Sequence, residues 1–207
     1  MTSDLTTNGP RLRRMSTGSL LAACAGAAMA AAPAVAQAAP APTELRSCVV
    51  DVPDTSKLAC FDTFAEAIKY ATGGRELDPP KDPAVAVRDP AFAERLNASS
   101  VAPAAAGAAA VSTVISIEFG QPNFGGSPLI WRGFSGNCST STGNTDYEVT
   151  SMPVGYDNWV SSFETFANCF TKHWEYTGFS GASVGYQGTR AQISAAMDNR
   201  TSSEQWS

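Results

Sequence analysis

Two six-residue runs carry the oxygen-rich pattern most able to do chemistry: Asp157-Asn158-Trp159-Val160-Ser161-Ser162 and Asp198-Asn199-Arg200-Thr201-Ser202-Ser203. The order Asp-Asn-x-x-Ser-Ser is identical in both. Carboxylate, amide and hydroxyl oxygens stand at short fixed offsets, with no thiol or imidazole among them. These are donors for a hard cation. Calcium takes six to eight oxygens at about 2.3–2.6 Å and tolerates mixtures of carbonyl, hydroxyl, carboxylate and water. Magnesium needs a stricter octahedron, and zinc prefers nitrogen or sulfur. Asx and Ser also favour turns for their own sake, so one copy would say little. Two copies in matching surroundings say much more.

The surroundings do match. Phe119, four residues, Phe124, one residue and Gly126 precede the first run; Trp174, four residues, Phe179, one residue and Gly181 precede the second. Each pattern predicts a strand closing in a tight hairpin, with glycine where the backbone needs a positive φ. From Val111 onward Gly, Ser and aromatics alternate with period two, the mark of short strands. Ile115, Ile117 and Phe119 are expected on one strand face. Phe170, Lys172 and Trp174 are expected on another, with Lys172 marking a strand near an edge, its stem packed and its amine in water. The chain's single histidine, His173, alternates with these residues and is expected on the outer, solvated face.

On these motifs, residues 111–207 resemble the βγ-crystallin family, whose hallmarks are paired aromatic/glycine hairpins and paired [Asn/Asp]-[Asn/Asp]-x-x-[Ser/Thr]-Ser runs. The resemblance implies an all-β fold: two Greek-key motifs of four strands forming a βγ-crystallin-like sandwich. It also implies two calcium sites where the runs cross. Ser161 and Ser202 supply hydroxyls, and Trp159 and Arg200 backbone carbonyls. Asp157 or Asn158, and Asp198 or Asn199, give a side-chain oxygen to the opposite run. Gly120 and Glu175, just after the first hairpin aromatic, add backbone carbonyls. Each site holds one or two charges, so weak Ca2+ binding, micromolar to millimolar, is expected, weaker still beside Arg200. The streptomycete metalloproteinase inhibitors are similar in fold and disulfide number. A secreted proteinaceous inhibitor of metalloproteases is therefore the alternative function, with residues 133–147 as the loop entering a protease cleft. A non-calcium structural cell-surface domain is the third reading.

The N-terminus explains where such a protein works. Arg11, Arg13 and Arg14 precede an apolar, Ala-rich stretch, and Ala36-Gln37-Ala38 offers small residues for cleavage. Residues 1–38 read as a secretory signal peptide, and the product as secreted. Leu21-Ala22-Ala23-Cys24 looks like a lipoprotein box, but the apolar run continues past it, which disfavours a lipid anchor. No later run could span a bilayer. Without that segment's three arginines and one aspartate, 11 basic and 18 acidic residues remain, a net charge of −7. That argues against nucleic acid, whose phosphates select basic patches. Cys48, Cys60, Cys138 and Cys169 form an even set in an exported chain, read as Cys48–Cys60 and Cys138–Cys169 disulfides because each closes within one predicted unit.

Before the sandwich, residues 39–77 read as a small disulfide-pinned ββα segment. Val49 to Val52 and Leu58 to Phe61 pair across a Pro53–Lys57 turn. Thr63 and Glu66 form a capping box, and Phe64, Ala67, Ile68 and Ala71 an apolar helical stripe. The segment is expected to stand as a cap or pro-region beside the main domain. Residues 78–110, rich in Ala and Pro, read as an extended linker with at most a helical turn or two between Arg88 and Leu96. Nothing points to an enzyme: Gly133-Phe134-Ser135-Gly136 and Gly178-Phe179-Ser180-Gly181 lack the GxSxG spacing of a nucleophile elbow. The four tryptophans read as core and hairpin packing, Trp159 being the one inside a run.

Overall fold

Strand β1 (Ser47–Asp51) and strand β2 (Leu58–Phe61) form the expected hairpin, with Cys48 opposite Cys60 and bridged to it. The structure, a computed structural model, describes residues 46–100 and 112–207, the side chains of Ser99 and Ser100 excepted. The signal peptide assigned to residues 1–38, the lipid-anchor candidate Cys24 and the Ala-rich run 102–107 lie outside the described residues. Helix α1 (Phe64–Ala71) carries the full Thr63/Glu66 capping box and buries Phe64, Ala67, Ile68 and Ala71. It gives way to Gly73 and Gly74 at φ +62° and +80°, a left-handed backbone that glycine adopts without a Cβ penalty.

The ββα segment is built into the sandwich rather than set beside it. Strand β1 runs parallel to β4 (Gly125–Gly133), which pairs with β3 (Thr113–Gln121), and β3 pairs with β6 (Ser162–Thr165). One sheet therefore has the order β2-β1-β4-β3-β6. The second has the order β5-β9-β7-β8, from β5 (Tyr147–Val149), β7 (Thr171–Tyr176), β8 (Ser180–Ser183) and β9 (Ser203–Trp206). Strand β1 is buried on both faces: Val49 joins the helices, while Val50 and Val52 face the other sheet. An isolated hairpin could not cover two such faces, which is why β1 belongs in a sheet interior.

Part of the stretch expected to be an extended linker is helical. Asp82 caps α2 (Pro83–Ala86), and α3 (Pro90–Ser100) follows. Ala86, Val87, Phe92 and Leu96 are buried with Phe64, Ile68, Ile117, Phe119 and Ile130. Alanine and proline dominated the composition, but Phe92 and Leu96 stand one helical turn apart and supply the packing face. The helices form a third layer on the five-stranded sheet.

Two expected strand faces are corrected. A register shift between Val114 and Ser116 turns Ile115 toward the second sheet, while Ile117 and Phe119 stay on the helix side. Ser116 then faces the sandwich interior, where its hydroxyl accepts from Trp206 Nε1. In β7 the alternation is present but inverted: Thr171 and His173 are fully buried, and Phe170 is 43% exposed. Strand β7 also lies between β9 and β8, not at an edge. Period two separates a strand's faces without saying which turns inward. Lys172 stays outside, its amine 4.0 Å over the Trp174 ring. Of the tryptophans, Trp131 and Trp206 pack in the core with ring centroids 5.1 Å apart.

The two motifs exchange strands. Strands β3, β4 and β6 of the first motif lie in one sheet, yet its third strand, β5, pairs with β9 in the other. In return, Arg190 of the second motif exchanges both backbone hydrogen bonds with Phe163 of β6.

Burial also marks Glu164 on β6, whose carboxyl is pushed up from 4.5 to about 7. A raised folded-state pKa contributes stability that is complete below about 4.5 and lost as pH rises through about 7. Glu164→Gln should therefore gain on the wild type by on the order of 1–2 kcal/mol between pH 5 and pH 8, discounted for partial solvent access. Urea midpoints at the two pH values measure this. An unchanged difference would refute the burial effect.

Candidate metal centre

The two Asp-Asn-x-x-Ser-Ser runs cross each other with reciprocal hydrogen bonds. Asn158 N–H donates to Thr201 C=O at 2.9 Å, and Asn199 N–H to Val160 C=O at 3.0 Å. Asn158 and Asn199 share a left-handed backbone, φ +55° and +54°, which Asn tolerates better than most residues. Each first serine is tied to its own hairpin strand: Ser161 N–H donates to Phe119 C=O and Ser202 N–H to Trp174 C=O, both at 2.8 Å. The crossing brings oxygens from three places together. Ser161 Oγ lies 3.3 Å from Gly120 C=O and 3.3 Å from Asn199 Oδ1. The Trp159 indole packs against Gly120, where a Cβ would lie 2.4 Å from its Nε1, so the close approach requires glycine. Asp198 Oδ1 is buried with no hydrogen-bond partner among the described residues.

The related copy around Ser202 differs in charge. The Arg200 guanidinium pairs with the Glu175 carboxylate. The Ala182 backbone N–H, then Arg200, hold that carboxyl below its usual value. On the first run, Asn158 Nδ2 donates to Asp157 Oδ2 at 3.0 Å. The structure thus brings Gly120, Ser161 and Asn199 into one oxygen cluster, beneath Trp159. Glu175 and Arg200 meet through their side chains.

The second serine of each run has a different task. Ser162 Oγ accepts from Phe124 N–H at 2.9 Å and donates to Gln121 C=O at 2.6 Å. Ser203 Oγ accepts from Phe179 N–H at 3.1 Å and donates to Tyr176 C=O at 2.6 Å. Both hydroxyls close their own hairpin, whose aromatic sits at a positive φ, +61° for Phe124 and +60° for Phe179. Each hairpin also carries glycine at a positive φ, Gly126 or Gly181. Duplicated hairpins, exchanged third strands and crossed runs occur together. The domain has the βγ-crystallin fold.

No family model and no curated relative matches the sequence. Among solved structures the chain is similar to a βγ-crystallin domain from Clostridium beijerinckii, at 12% identity over 44% of this chain and 95% of that one, TM-score 0.34. It is also similar to the N-terminal domain of Protein S, at 13% identity over 45% and 94%, TM-score 0.34. A βγ-crystallin domain from Flavobacterium johnsoniae matches at 15% identity over 45% and 93%, TM-score 0.32. The fold assignment rests on the strand exchange and crossed runs within this chain.

A second polar group lies inside this βγ-crystallin sandwich. His173, expected in solvent, is 0% exposed, as are Glu118 and Glu204. His173 Nε2 is 3.3 Å from Glu118 Oε1 and 3.7 Å from Glu204 Oε1. Glu204 is the cross-strand partner of His173, whereas Glu118 reaches across from the other sheet. The Phe163 ring closes the fourth side, 4.6 Å from the imidazole. Burial and the facing Glu118 push the Glu204 carboxyl well above the usual carboxylate range. A signal for this group was present in the repeat: aligning Phe119 with Trp174 places Glu118 and His173 at one position. Glu204 had no such signal, because its counterpart in the first motif is Phe163.

Proposed function

We propose that the chain is an exported calcium-binding βγ-crystallin module in which Ca2+ stabilises the fold. The observation that carries this reading is the cluster at the crossing, with Ser161 Oγ 3.3 Å from both Gly120 C=O and Asn199 Oδ1. Oxygens bound to one six-coordinate calcium at about 2.3–2.6 Å lie about 3.3–3.7 Å apart along an edge of the octahedron. The donors are a hydroxyl, a backbone carbonyl and a side-chain carbonyl, with the unpartnered Asp198 Oδ1 beside Asn199 in the second run. That mixture suits calcium and neither zinc nor a soft metal. The copy at Ser202 is the weaker site, because the Arg200 guanidinium repels a cation. The two disulfides favour an oxidising, extracellular setting.

The test is thermal unfolding of the chain with disulfides intact, in EDTA, in millimolar calcium and in millimolar magnesium. At ten times Kd, binding to the folded state adds about 1.4 kcal/mol, a rise of about 3–6 °C for a domain of this size. Ser161→Ala should remove most of the rise and Ser202→Ala a smaller share. No calcium-specific shift would overturn the proposal.

A second reading, a secreted inhibitor of metalloproteases, draws on residues 133–147. This loop is pinned by the Cys138–Cys169 bridge, by the Tyr147 hydroxyl donating to Gly136 C=O and by Asp146 accepting from Ser139, and it exposes Phe134. Titrating a secreted metalloprotease decides it: an inhibitor reaches full inhibition near one equivalent.

A further inference from the structure

We propose that Glu118, His173 and Glu204 are the ligands of one divalent transition-metal ion, Zn2+ by donor type, that fastens the two sheets together. The three side chains offer one imidazole nitrogen and two carboxylates, all 0% exposed, with one ligand atom from each within 4.8 Å of the others. The 3.3 Å separation of His173 Nε2 from Glu118 Oε1 equals the edge of a tetrahedron with bonds of about 2.0–2.1 Å, which is about 3.3–3.4 Å, and the 3.7 Å separation from Glu204 Oε1 lies a little beyond it. A nitrogen donor and so few ligands suit zinc and not calcium, so this centre is chemically distinct from the crossed runs.

Unmet bonding is the stronger reason. Glu118 Oε2 and both Glu204 oxygens are buried without a hydrogen-bond partner among the described residues, short of a proton shared between the two carboxyls. Native interiors seldom leave even one such atom unpaired, and each costs on the order of 1–3 kcal/mol. A metal ion uses the carboxylate oxygens directly, and the two free oxygens of Glu204 allow it to chelate. Charge agrees. With both carboxylates ionised and the imidazole neutral the group sums to −2, which one divalent cation cancels; without the ion the group has to hold protons instead, as the raised Glu204 carboxyl shows. A buried net charge is what interiors resist most.

The placement says what such an ion does. His173 and Glu204 are paired across neighbouring strands of one sheet, and Glu118 belongs to the other. The ion joins the two Greek-key motifs at the centre of their interface. Since no ligand reaches solvent, it is captured while the sheets close.

The untagged full chain, disulfides intact, is unfolded in denaturant and refolded with one equivalent of Zn2+ or in chelator. It is then desalted and its metal measured. About one zinc per chain is expected, retained against excess calcium. X-ray absorption should show one imidazole in the zinc shell. The chain holds a single histidine, so that signal can come only from His173. His173→Gln and Glu204→Gln should each retain at least tenfold less zinc, whereas Ser161→Ala should retain all of it. The proposal fails if refolded wild type keeps no zinc, if the bound zinc lacks an imidazole, or if folded variants keep it undiminished. Should the variants not fold, the wild-type spectrum alone decides. Because Ser161→Ala disables the proposed calcium cluster but not this centre, failure of either reading is visible separately.

Discussion

Replacing Cys138 and Cys169 together by serine is expected to lower stability by roughly 3–4 kcal/mol. The bridge closes a sequence separation of 31, for which the loop-entropy relation gives about 3.7 kcal/mol. Its place in the fold keeps the native state from offsetting that loss. Residues 133–147 carry the chain from β4 in one sheet to β5 in the other, and Cys169 sits in the turn that joins the two motifs. Cys138 N–H donates to Ala167 C=O at 2.9 Å, so the backbone is aligned beside the bridge. Ala167 and Asn168 both adopt positive φ, +56° and +61°, a conformation that needs support from its surroundings. Part of that support comes from α3, whose Asn97 side chain accepts from Ala167 N–H. Opening the shorter Cys48–Cys60 bridge, separation 12, should cost less, about 2.8 kcal/mol. Urea unfolding of the two double-serine variants measures both. A loss under 1 kcal/mol at Cys138–Cys169 would show that the strand crossing holds without its bridge.

Ser162→Ala is expected to cost about 2–4 kcal/mol, and Ser203→Ala about 1 kcal/mol. Ser162 is 0% exposed, and truncating it strands a buried N–H on Phe124 and a carbonyl on Gln121. Phe124 is itself packed under α2, with the Arg88 guanidinium 4.9 Å from its ring, so water cannot readily replace the hydroxyl. Ser203 makes the same two bonds and is equally buried, but Phe179 is only half-buried where Phe124 is buried, so solvent can reach the N–H that alanine would strand. The pair of neighbouring serines in each run therefore separates by role. Alanine at Ser162 should lower stability with the calcium response kept in proportion, whereas alanine at Ser161 should remove the response at small cost in EDTA. Equal losses at Ser162 and Ser203 would contradict the proposed effect of solvent access.

Much of this was readable from short-range patterns, because the physics involved is short-range. The Thr63/Glu66 capping box, the Cys48–Cys60 hairpin and the glycines after α1 each depend on residues a few positions apart. The doubled Asp-Asn-x-x-Ser-Ser runs and their hairpins were legible because duplication separates a shared structural element from a chance turn. That resemblance also carried the Greek-key sandwich.

Tertiary structure decided the rest. Whether Thr171 and His173 or Lys172 and Trp174 faced inward depended on what waited in the opposite sheet. Glu118 waits there and Glu204 on the neighbouring strand β9, and no alternation within β7 encodes either. Residues 78–110 read as a linker with a helical turn or two at most, whereas Phe92 and Leu96 found the helix-side face of the five-stranded sheet. Strand β1 became a sheet member only because β4 offered a free edge. In each case the deciding free energy comes from burial against residues distant in sequence. Composition and periodicity determine which surfaces a segment can bury, and only the assembled sheets determine against what.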